Sequence, residues 1–214
     1  MRIIGGQLKG LRLNPPKNLP VRPTTDLAKE ALFNILQNQI DFENIKVLDL
    51  FAGTGNISFE FASREATQVI SVDRSIHCIN YIKDTARQHR FEQIKTYKAD
   101  VFKYLELETD QYDLIFADPP YDLNRIPEIA KIVFDKNLLL PDGLLIIEHQ
   151  SLQKPGSPDE SRAKQCSCLG DTRPQISLLN SPLRRLQQSP RQILQPGWSR
   201  ESLGKPEPHQ PGAE

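Results

Sequence analysis

The chain has few cysteines and no long apolar run, and both absences narrow its class. Three cysteines are too few for a disulfide framework, and Cys166-Ser-Cys168 lacks the spacing of a zinc site. The best apolar run, 138–147, is broken by Pro141-Asp142-Gly143 and falls short of the roughly 18–20 residues that span a bilayer. The first residues show no signal-peptide pattern. We therefore expect a cytoplasmic protein with neither a membrane partner nor a bound metal.

Neither sign of charge dominates, and large apolar residues are scarce after residue 150. Lys plus Arg and Asp plus Glu are both 27, so the net charge indicates no wholly basic or acidic partner surface. Residues 151–214 contain no Val, Phe or Tyr but nine of the 17 prolines. Such a composition does not build a core. We therefore expect the fold and the chemistry in residues 1–150.

Residues 1–25 form a basic N-terminal arm that precedes the first acidic residue, Asp26. The segments 3–6 and 10–13 predict a short β-hairpin, and the prolines after it keep the chain extended. A solvated basic edge is the simplest interpretation of the arm. Its basic residues are Arg2, Lys9, Arg12, Lys17 and Arg22.

Strand and helix patterns alternate after the arm. Thr24-Thr25-Asp26 predicts the start of a helix. The predicted strands are Val47–Phe51, Val69–Val72, Ile94–Ala99, Tyr112–Ala117 and Leu144–Ile147. The predicted helices between them are Ile57–Ala62, 75–90 with Ile76, Ile79, Ile82 and Ala86 on one face, and Ile126–Phe134. This alternation predicts an α/β fold with a mostly parallel sheet covered by helices on both faces.

An acidic residue stands at or near the C-terminal end of every predicted strand: Asp49, Asp73, Asp100, Asp118 and Glu148. Ligands of open α/β sheets bind at that edge. Any one of these acids could simply cap a helix. Five of them around a glycine-rich turn favour a binding site instead.

The glycine-rich turn is Asp49-Leu-Phe-Ala-Gly53-Thr54-Gly55. Its glycines allow a tight turn and let backbone N–H groups approach a ligand. The nicotinamide fingerprint is incomplete, because Ser58 stands where that fingerprint has Gly. Asp49 would repel a diphosphate and suits a ligand with a cationic amino group or a sulfonium. A purely structural turn is the alternative.

Two further acids follow the turn along the chain. Asp73 lies 18 residues after Gly55, where a carboxylate accepts hydrogen bonds from ribose hydroxyls. Asp100 ends the third predicted strand, where it either meets an adenine edge or caps the segment that begins at Val101.

Asp118-Pro119-Pro120-Tyr121 is the most specific motif. The two prolines hold an extended turn at the strand end. The Asp118 carboxylate and the Pro119 carbonyl are two acceptors suited to an exocyclic NH2 group, and the Tyr121 ring can stack on a planar base. A plain turn with a buried tyrosine is the structural alternative.

Together these motifs resemble the class I S-adenosylmethionine-dependent amino-methyltransferases. Within that class the chain resembles the bacterial 16S ribosomal RNA guanine-N2 methyltransferases from Met1 to about His149. The N-terminal segments distinguish this family from the other amino-methyltransferases of the class. They are Arg2-Ile3-Ile4-Gly5-Gly6, Lys9-Gly10-Leu11-Arg12-Leu13, Arg22-Pro23-Thr24-Thr25-Asp26 and Glu30-Ala31-Leu32-Phe33-Asn34.

The resemblance implies a Rossmann-like fold, S-adenosylmethionine as cofactor, and methyl transfer to the N2 amine of a guanine in 16S ribosomal RNA or the small-subunit particle by a monomer. The residues implied for the cofactor are Asp49, Phe51, Gly53, Thr54, Gly55, Asp73, Arg74, Asp100 and Val101. The residues implied for the target base are Asp118, Pro119, Pro120 and Tyr121. The arm's five basic residues would contact the RNA backbone.

The resemblance predicts an arm over 1–25, a methyltransferase domain over 26–150 and a tail over 151–214. The family's sheet ends in an antiparallel hairpin, which we expect to be missing here because 178–179 and 193–194 are too short and isolated. The tail would then be out of frame, or a disordered extension able to touch RNA loosely. Two other functions stay open: a catalytically impaired protein that binds cofactor or RNA, and a DNA adenine-N6 methylase.

Overall fold

The computed structural model describes residues 1–16, 19, 26–120, 122–149, 163–166 and 175–180. The chain divides into two units, 1–184 and 185–214, and every described residue belongs to the first. The helices are α1 (Asp26–Leu36), α2 (Asn56–Ser63), α3 (Ile76–Gln88), α4 (Val101–Leu107) and α5 (Ile126–Asp135). The strands are β1 (Lys46–Leu50), β2 (Gln68–Asp73), β3 (Ile94–Lys98), β4 (Tyr112–Ala117), β5 (Leu139–His149), β6 (Ala163–Cys166) and β7 (Gln175–Asn180).

All seven strands form one sheet in the order β3-β2-β1-β4-β5-β7-β6. The first five strands are parallel, and β7 pairs antiparallel with both β5 and β6. The chain order reverses between β1 and β4, which is where open α/β sheets bind their ligands. The predicted α/β fold with a mostly parallel sheet is confirmed.

Alternate residues of the strands feed two hydrophobic cores, one on each face of the sheet. On the first face, buried residues of α1, α2, α3 and the arm pack against Val47, Leu114 and Ile146 and form the first core. On the second face, α4 and α5 pack against Leu48, Ile115 and Ile147 and form the second core. Each face is thus closed by helices, as a parallel sheet requires.

The arm folds as predicted into an antiparallel turn. The Ile3 N–H donates to the Leu11 carbonyl at 2.9 Å, and the Gly10 N–H donates to the Ile3 carbonyl at 2.8 Å. Ile3 and Leu13 are buried in the first core. The arm is therefore anchored to the domain by its apolar residues.

The expected loss of the C-terminal hairpin is wrong. The strand β7 pairs with β5 from Leu144↔Asn180 to His149↔Gln175, and β6 pairs with β7. Leu178 and Leu179 enter the first and second cores respectively. A short strand gains its stability from the neighbour on which it packs. The predicted boundary at residue 150 is also wrong, since the sheet continues to Asn180.

Two smaller expectations are corrected as well. Ile76 was assigned to the buried face of its helix, but as the first residue of α3 it is exposed, and Cys78 is buried instead. Pro141-Asp142-Gly143 does not precede the last parallel strand but lies within β5, where the pairing with β4 shifts register after Tyr112↔Leu139. Asp142 takes the left-handed backbone conformation that such an irregularity needs, with φ 67°.

Candidate functional site

Four carboxyl groups form a row along the C-terminal edge of the parallel strands. They belong to Asp73 on β2, Asp49 on β1, Asp118 just after β4 and Glu148 on β5, four adjacent strands. Strand residues alternate between faces, and the residue before each acid (Leu48, Val72, Ala117 or Ile147) packs in the second core. The four acids therefore lie on the first face, beside α2. We call them the carboxylate row.

The turn after β1 wraps around Asp73. The Gly53 N–H donates to one Asp73 carboxylate oxygen at 2.9 Å, and the Ser75 N–H donates to the other at 2.7 Å. Each oxygen keeps a second lone pair. Asp73 is thus held by the backbone with acceptor capacity left for two hydroxyl groups.

The shape of the turn depends on left-handed residues. Gly55 has φ 73°, and a Cβ there would lie 2.9 Å from Ile82 and 3.0 Å from Phe59. Phe51 also has a positive φ, 59°, which is uncommon for a bulky residue. Strain of this kind persists where a site requires it. The glycine-rich turn therefore has a fixed and strained shape, and its binding of a ligand stays a prediction.

Asp49 lies at the centre of the row and is only 1% exposed. It accepts a hydrogen bond from the Ser58 hydroxyl, which is also 2.7 Å from the Ser71 hydroxyl. Burial, followed by the negative charges of Asp118 and Asp73, raises the pKa of Asp49 to about 7, despite the opposing hydrogen bond from Ser58. A cationic ligand would relieve this repulsion. Ser58, which breaks the nicotinamide fingerprint, serves here as the partner of Asp49.

The remaining residues predicted for the cofactor surround the row at different depths. Asp100 accepts from the N–H groups of Phe102 and Lys103 at 3.1 and 3.2 Å, so it caps α4, as the alternative interpretation held. Val101 is buried, and Arg74 is exposed next to Asp73.

Thr54 connects the turn with the arm. It is 4% exposed, and its hydroxyl lies 3.5 Å from the Met1 sulfur. The first residue of the arm thus lies against the glycine-rich turn.

The Asp118 corner follows β4 without a break. The Asp118 N–H donates to the Leu50 carbonyl at 3.4 Å, and the Pro120 carbonyl accepts from the Leu123 N–H at 2.9 Å. Pro119 is buried, while Pro120 is exposed. Burial raises the pKa of the partly exposed Asp118 to about 6, so the group is mostly ionised at pH 7. The predicted role of Tyr121 falls outside the described residues.

A buried ionic cluster, which the sequence analysis missed, fastens the arm to α2. Glu60 is fully buried, and its carboxylate accepts from the N–H groups of Ile4 at 3.0 Å and Gly5 at 2.8 Å. Lys29, 1% exposed, lies 3.1 Å from the same carboxylate, and Arg64 pairs with it as well. The sequence signal that could have indicated this cluster is a charged residue at a position where the helical pattern requires an apolar one.

Lys29 also reaches the ligand edge. Its ammonium donates to the Arg2 carbonyl at 2.6 Å and to the Asn56 side-chain carbonyl at 2.8 Å. Asn56 is the first residue of α2, directly after Gly55. One buried cation therefore ties the arm, α1 and the glycine-rich turn together.

The basic side chains of the arm that the structure describes point to solvent. Arg2, Lys9 and Arg12 are exposed, while Lys17 and Arg22 fall outside the described residues. Arg2 lies 4.0 Å from Asp26, and a shallow polar pocket is lined by Met1, Arg2, Arg12, Asn14 and Asp26. Since the arm packs on the first face, its cations share that face with the carboxylate row.

The acceptors and negative charges of this edge suit S-adenosylmethionine, the cofactor that the resemblance implies. Asp73 offers acceptors for ribose hydroxyls, and Asp49 is surrounded by negative charge that favours a cationic group. Within the described residues, no His, Cys, Asp or Glu side chains cluster in threes as a metal site requires. Nor does any described helix have the length and apolarity to cross a membrane.

Comparison with known proteins identifies the family of the chain. The family model described as "Conserved hypothetical protein 95" matches residues 1–173. Ribosomal RNA small subunit methyltransferase D of Escherichia coli (strain K12) is 30% identical over 152 residues, covering 70% of this chain and 75% of the relative. YlbH of Bacillus subtilis (strain 168) is 31% identical over 153 residues, covering 70% and 82% respectively.

The solved structure of yhhF from Escherichia coli has the same fold, with a TM-score of 0.73 at 21% identity over 85% of this chain and 98% of that one. The predicted Rossmann-like class I fold is therefore confirmed. The chain belongs to the family described as conserved hypothetical protein 95, which confirms its resemblance to the bacterial 16S ribosomal RNA methyltransferases and makes it a class I methyltransferase that uses S-adenosylmethionine.

Proposed function

We propose that the chain transfers a methyl group from S-adenosylmethionine to the exocyclic N2 amine of a guanine in 16S ribosomal RNA. The observation that carries the proposal is the Asp118-Pro119 corner, which lies next to Asp49 on the same face of the sheet. The name of the Escherichia coli relative supports ribosomal RNA of the small subunit as the substrate.

The cofactor site uses residues on β1, β2 and the turn between β1 and α2. Asp73 would hold the ribose, and Asp49 with the glycine-rich turn would hold the methionine part. When bound, S-adenosylmethionine supplies an electrophilic methyl group on a sulfonium. Asp100 would approach the adenine through its neighbouring backbone, because its side chain already caps α4.

The target amine would be held by two acceptors. A guanine amine is a poor nucleophile, because its lone pair is delocalised into the ring. Hydrogen bonds from its two N–H groups to the Asp118 carboxylate and the Pro119 carbonyl favour a more tetrahedral nitrogen and aim its lone pair. Positioning of this kind accounts for much of the rate of such displacements.

Asp118 would also remove the proton. The nitrogen becomes cationic as it gains the methyl group, and a nearby carboxylate stabilises that charge. Burial raises the pKa of Asp118 to about 6, closer to neutrality than an ordinary aspartate, which improves its match to a general base at pH 7. The base must leave its stack to reach this corner.

The arm would bind the RNA backbone. Arg2, Lys9 and Arg12 are exposed on the face that carries the acids, and the buried cluster at Glu60 holds the backbone of the arm at Ile4 and Gly5. A phosphate backbone guided along the arm would bring a flipped base towards Asp118.

The proposal is tested with Asp118→Ala. Methyl transfer from labelled S-adenosylmethionine to undermethylated small ribosomal subunits should fall by at least a hundredfold, because the variant loses both the acceptor and the base. Calorimetry should show the cofactor binding within about threefold of the unchanged protein, since Asp49 and Asp73 remain.

Asp122→Asn is the matched control, because Asp122 is an exposed acid close to the corner in sequence. It should keep full activity. Full turnover by Asp118→Ala would refute the assignment of the corner.

A further inference from the structure

Glu148 lies beside Asp118 at the end of the neighbouring strand. Ala117 of β4 pairs in register with Ile147 of β5, so the residues that follow them, Asp118 and Glu148, are level at the edge. Neighbouring strands are about 4.8 Å apart. Both residues alternate with members of the second core and therefore occupy the first face. Glu148 is thus the last acid of the carboxylate row on the β5 side.

Among the described residues, no cation or hydrogen-bond donor stabilises a negative charge on Glu148. The residue is 8% exposed, and within the described part of the chain no N–H or O–H group donates a hydrogen bond to its carboxyl group. The strand β7 pairs it with Ile176. A buried carboxylate without donors pays a large desolvation cost and keeps its proton instead.

The acidic groups that lie together here are Glu148 on β5, Asp118 after β4 and Asp49 on β1. Burial first, and then the negative charge of Asp118, raise the pKa of Glu148 to about 8, while the pKa of Asp118 rises only to about 6. Asp49 on β1 adds a further negative group next to Asp118. The following residue, His149, lies on the opposite face of the sheet, where it is buried 2.8 Å from the Ser177 hydroxyl. Of the two neighbouring acids, Glu148 therefore keeps its proton to the higher pH.

We propose that Glu148 is a positioning residue of the base site: its protonated carboxyl group donates a hydrogen bond to Asp118, which leaves the other Asp118 oxygen ionised and directed at the substrate amine. This inference rests on the proposed function for its consequence in catalysis. Its structural part, the shared proton, is independent of any substrate. No bond is made or broken at Glu148, and the proton that leaves the amine goes to Asp118.

The shared proton is tested without RNA or cofactor. Carbon-13 NMR of the full-length protein labelled at the glutamate side-chain carboxyl follows each group with pH, and the signal lost in Glu148→Gln assigns Glu148. We expect a midpoint near 8, which falls by at least one unit in Asp118→Asn because the neighbouring charge is gone. A midpoint near the ordinary glutamate value of 4.5, or no change in Asp118→Asn, would overturn the inference.

The consequence for catalysis is tested by kcat/KM between pH 5 and pH 9.5. Glu148→Gln keeps an N–H donor and should retain activity within threefold at pH 7, whereas Glu148→Ala should lose at least tenfold. The unchanged protein should lose activity above about pH 8, and Glu148→Gln should not, because its amide does not ionise. The same RNA serves all variants, so titration of the substrate is common to them.

Glu92→Gln, at an exposed glutamate between α3 and β3, is the matched control and should follow the unchanged protein at every pH. Equal loss in Glu148→Gln and Glu148→Ala, or no loss in either, contradicts the positioning role. Absence of methyl transfer by the unchanged protein contradicts the proposed function instead, and the NMR titration then still decides whether the proton is shared.

Discussion

Glu60 concentrates four interactions on one carboxylate that has no access to water. Two backbone N–H groups of the arm and the cations of Lys29 and Arg64 converge on it. Removing one partner of a buried ion pair leaves the other charge uncompensated and costs about 3–5 kcal/mol. The contribution of Glu60 to holding the arm can therefore be measured as a change in the free energy of unfolding.

Glu60→Gln should lower the free energy of unfolding by about 3–5 kcal/mol, measured by urea denaturation, because Lys29 would stay buried without a counter-charge. The double variant Glu60→Gln with Lys29→Met should recover part of that loss, since the uncompensated ammonium is gone. Glu43→Gln, at an exposed acid between α1 and β1, is the control. A Glu60→Gln protein as stable as the unchanged one would show that the cluster does not hold the arm.

The residues of the edge were predictable from the sequence, whereas the cluster at Glu60 was not. Asp73 and Asp118 follow apolar runs and Asp49 lies near the end of one, and the geometry of parallel strands brings such positions to one edge. Lys29 and Glu60 occupy apolar positions of their helices, but charged side chains are ordinarily assigned to solvent. Their burial follows from the arm that packs over them, a contact between segments far apart in the chain.

At the scale of elements, the parallel strands and their helices matched their apolar patterns closely. The strand β4 has the predicted bounds, and β1, β2 and α2 differ from prediction by one residue at either end. These elements are buried on the faces that their periodicity requires. The register shift in β5 was not predictable, because Pro141-Asp142-Gly143 has the composition of a turn that ends a strand.

The hairpin β6–β7 shows where composition misleads. Residues 151–214 are poor in strand-forming side chains, yet β7 extends the sheet along the whole segment 144–149 of β5. Pairing with a buried strand and the burial of Leu178 and Leu179 stabilise it. The hypothesis of a catalytically impaired protein depended on the absence of this hairpin and loses its main support.

Over the whole molecule, cations of the arm and carboxylates of the strand ends share one face of the sheet, while α5 covers the other. Arg12→Gln should weaken RNA binding and reduce the slope of log affinity against log salt by about 1, because one phosphate contact is lost. Fluorescence anisotropy with a small-subunit RNA fragment between 50 and 300 mM KCl measures that slope.

Lys131→Gln is the control for charge. Lys131 is exposed on α5, where it pairs with Asp135 on the second face. It should leave the slope unchanged. Equal slopes for the unchanged protein, Arg12→Gln and Lys131→Gln would show that the arm is a solvated edge that binds no RNA.

The chemistry of the product tests the central claim most directly. Undermethylated small ribosomal subunits are incubated with the protein and S-adenosylmethionine carrying a deuterated methyl group, and the RNA is digested to nucleosides for tandem mass spectrometry. The account predicts deuterated N2-methylguanosine from the 16S RNA and none with Asp118→Ala. Label found only in N6-methyladenosine, or no label in any nucleoside, would contradict it.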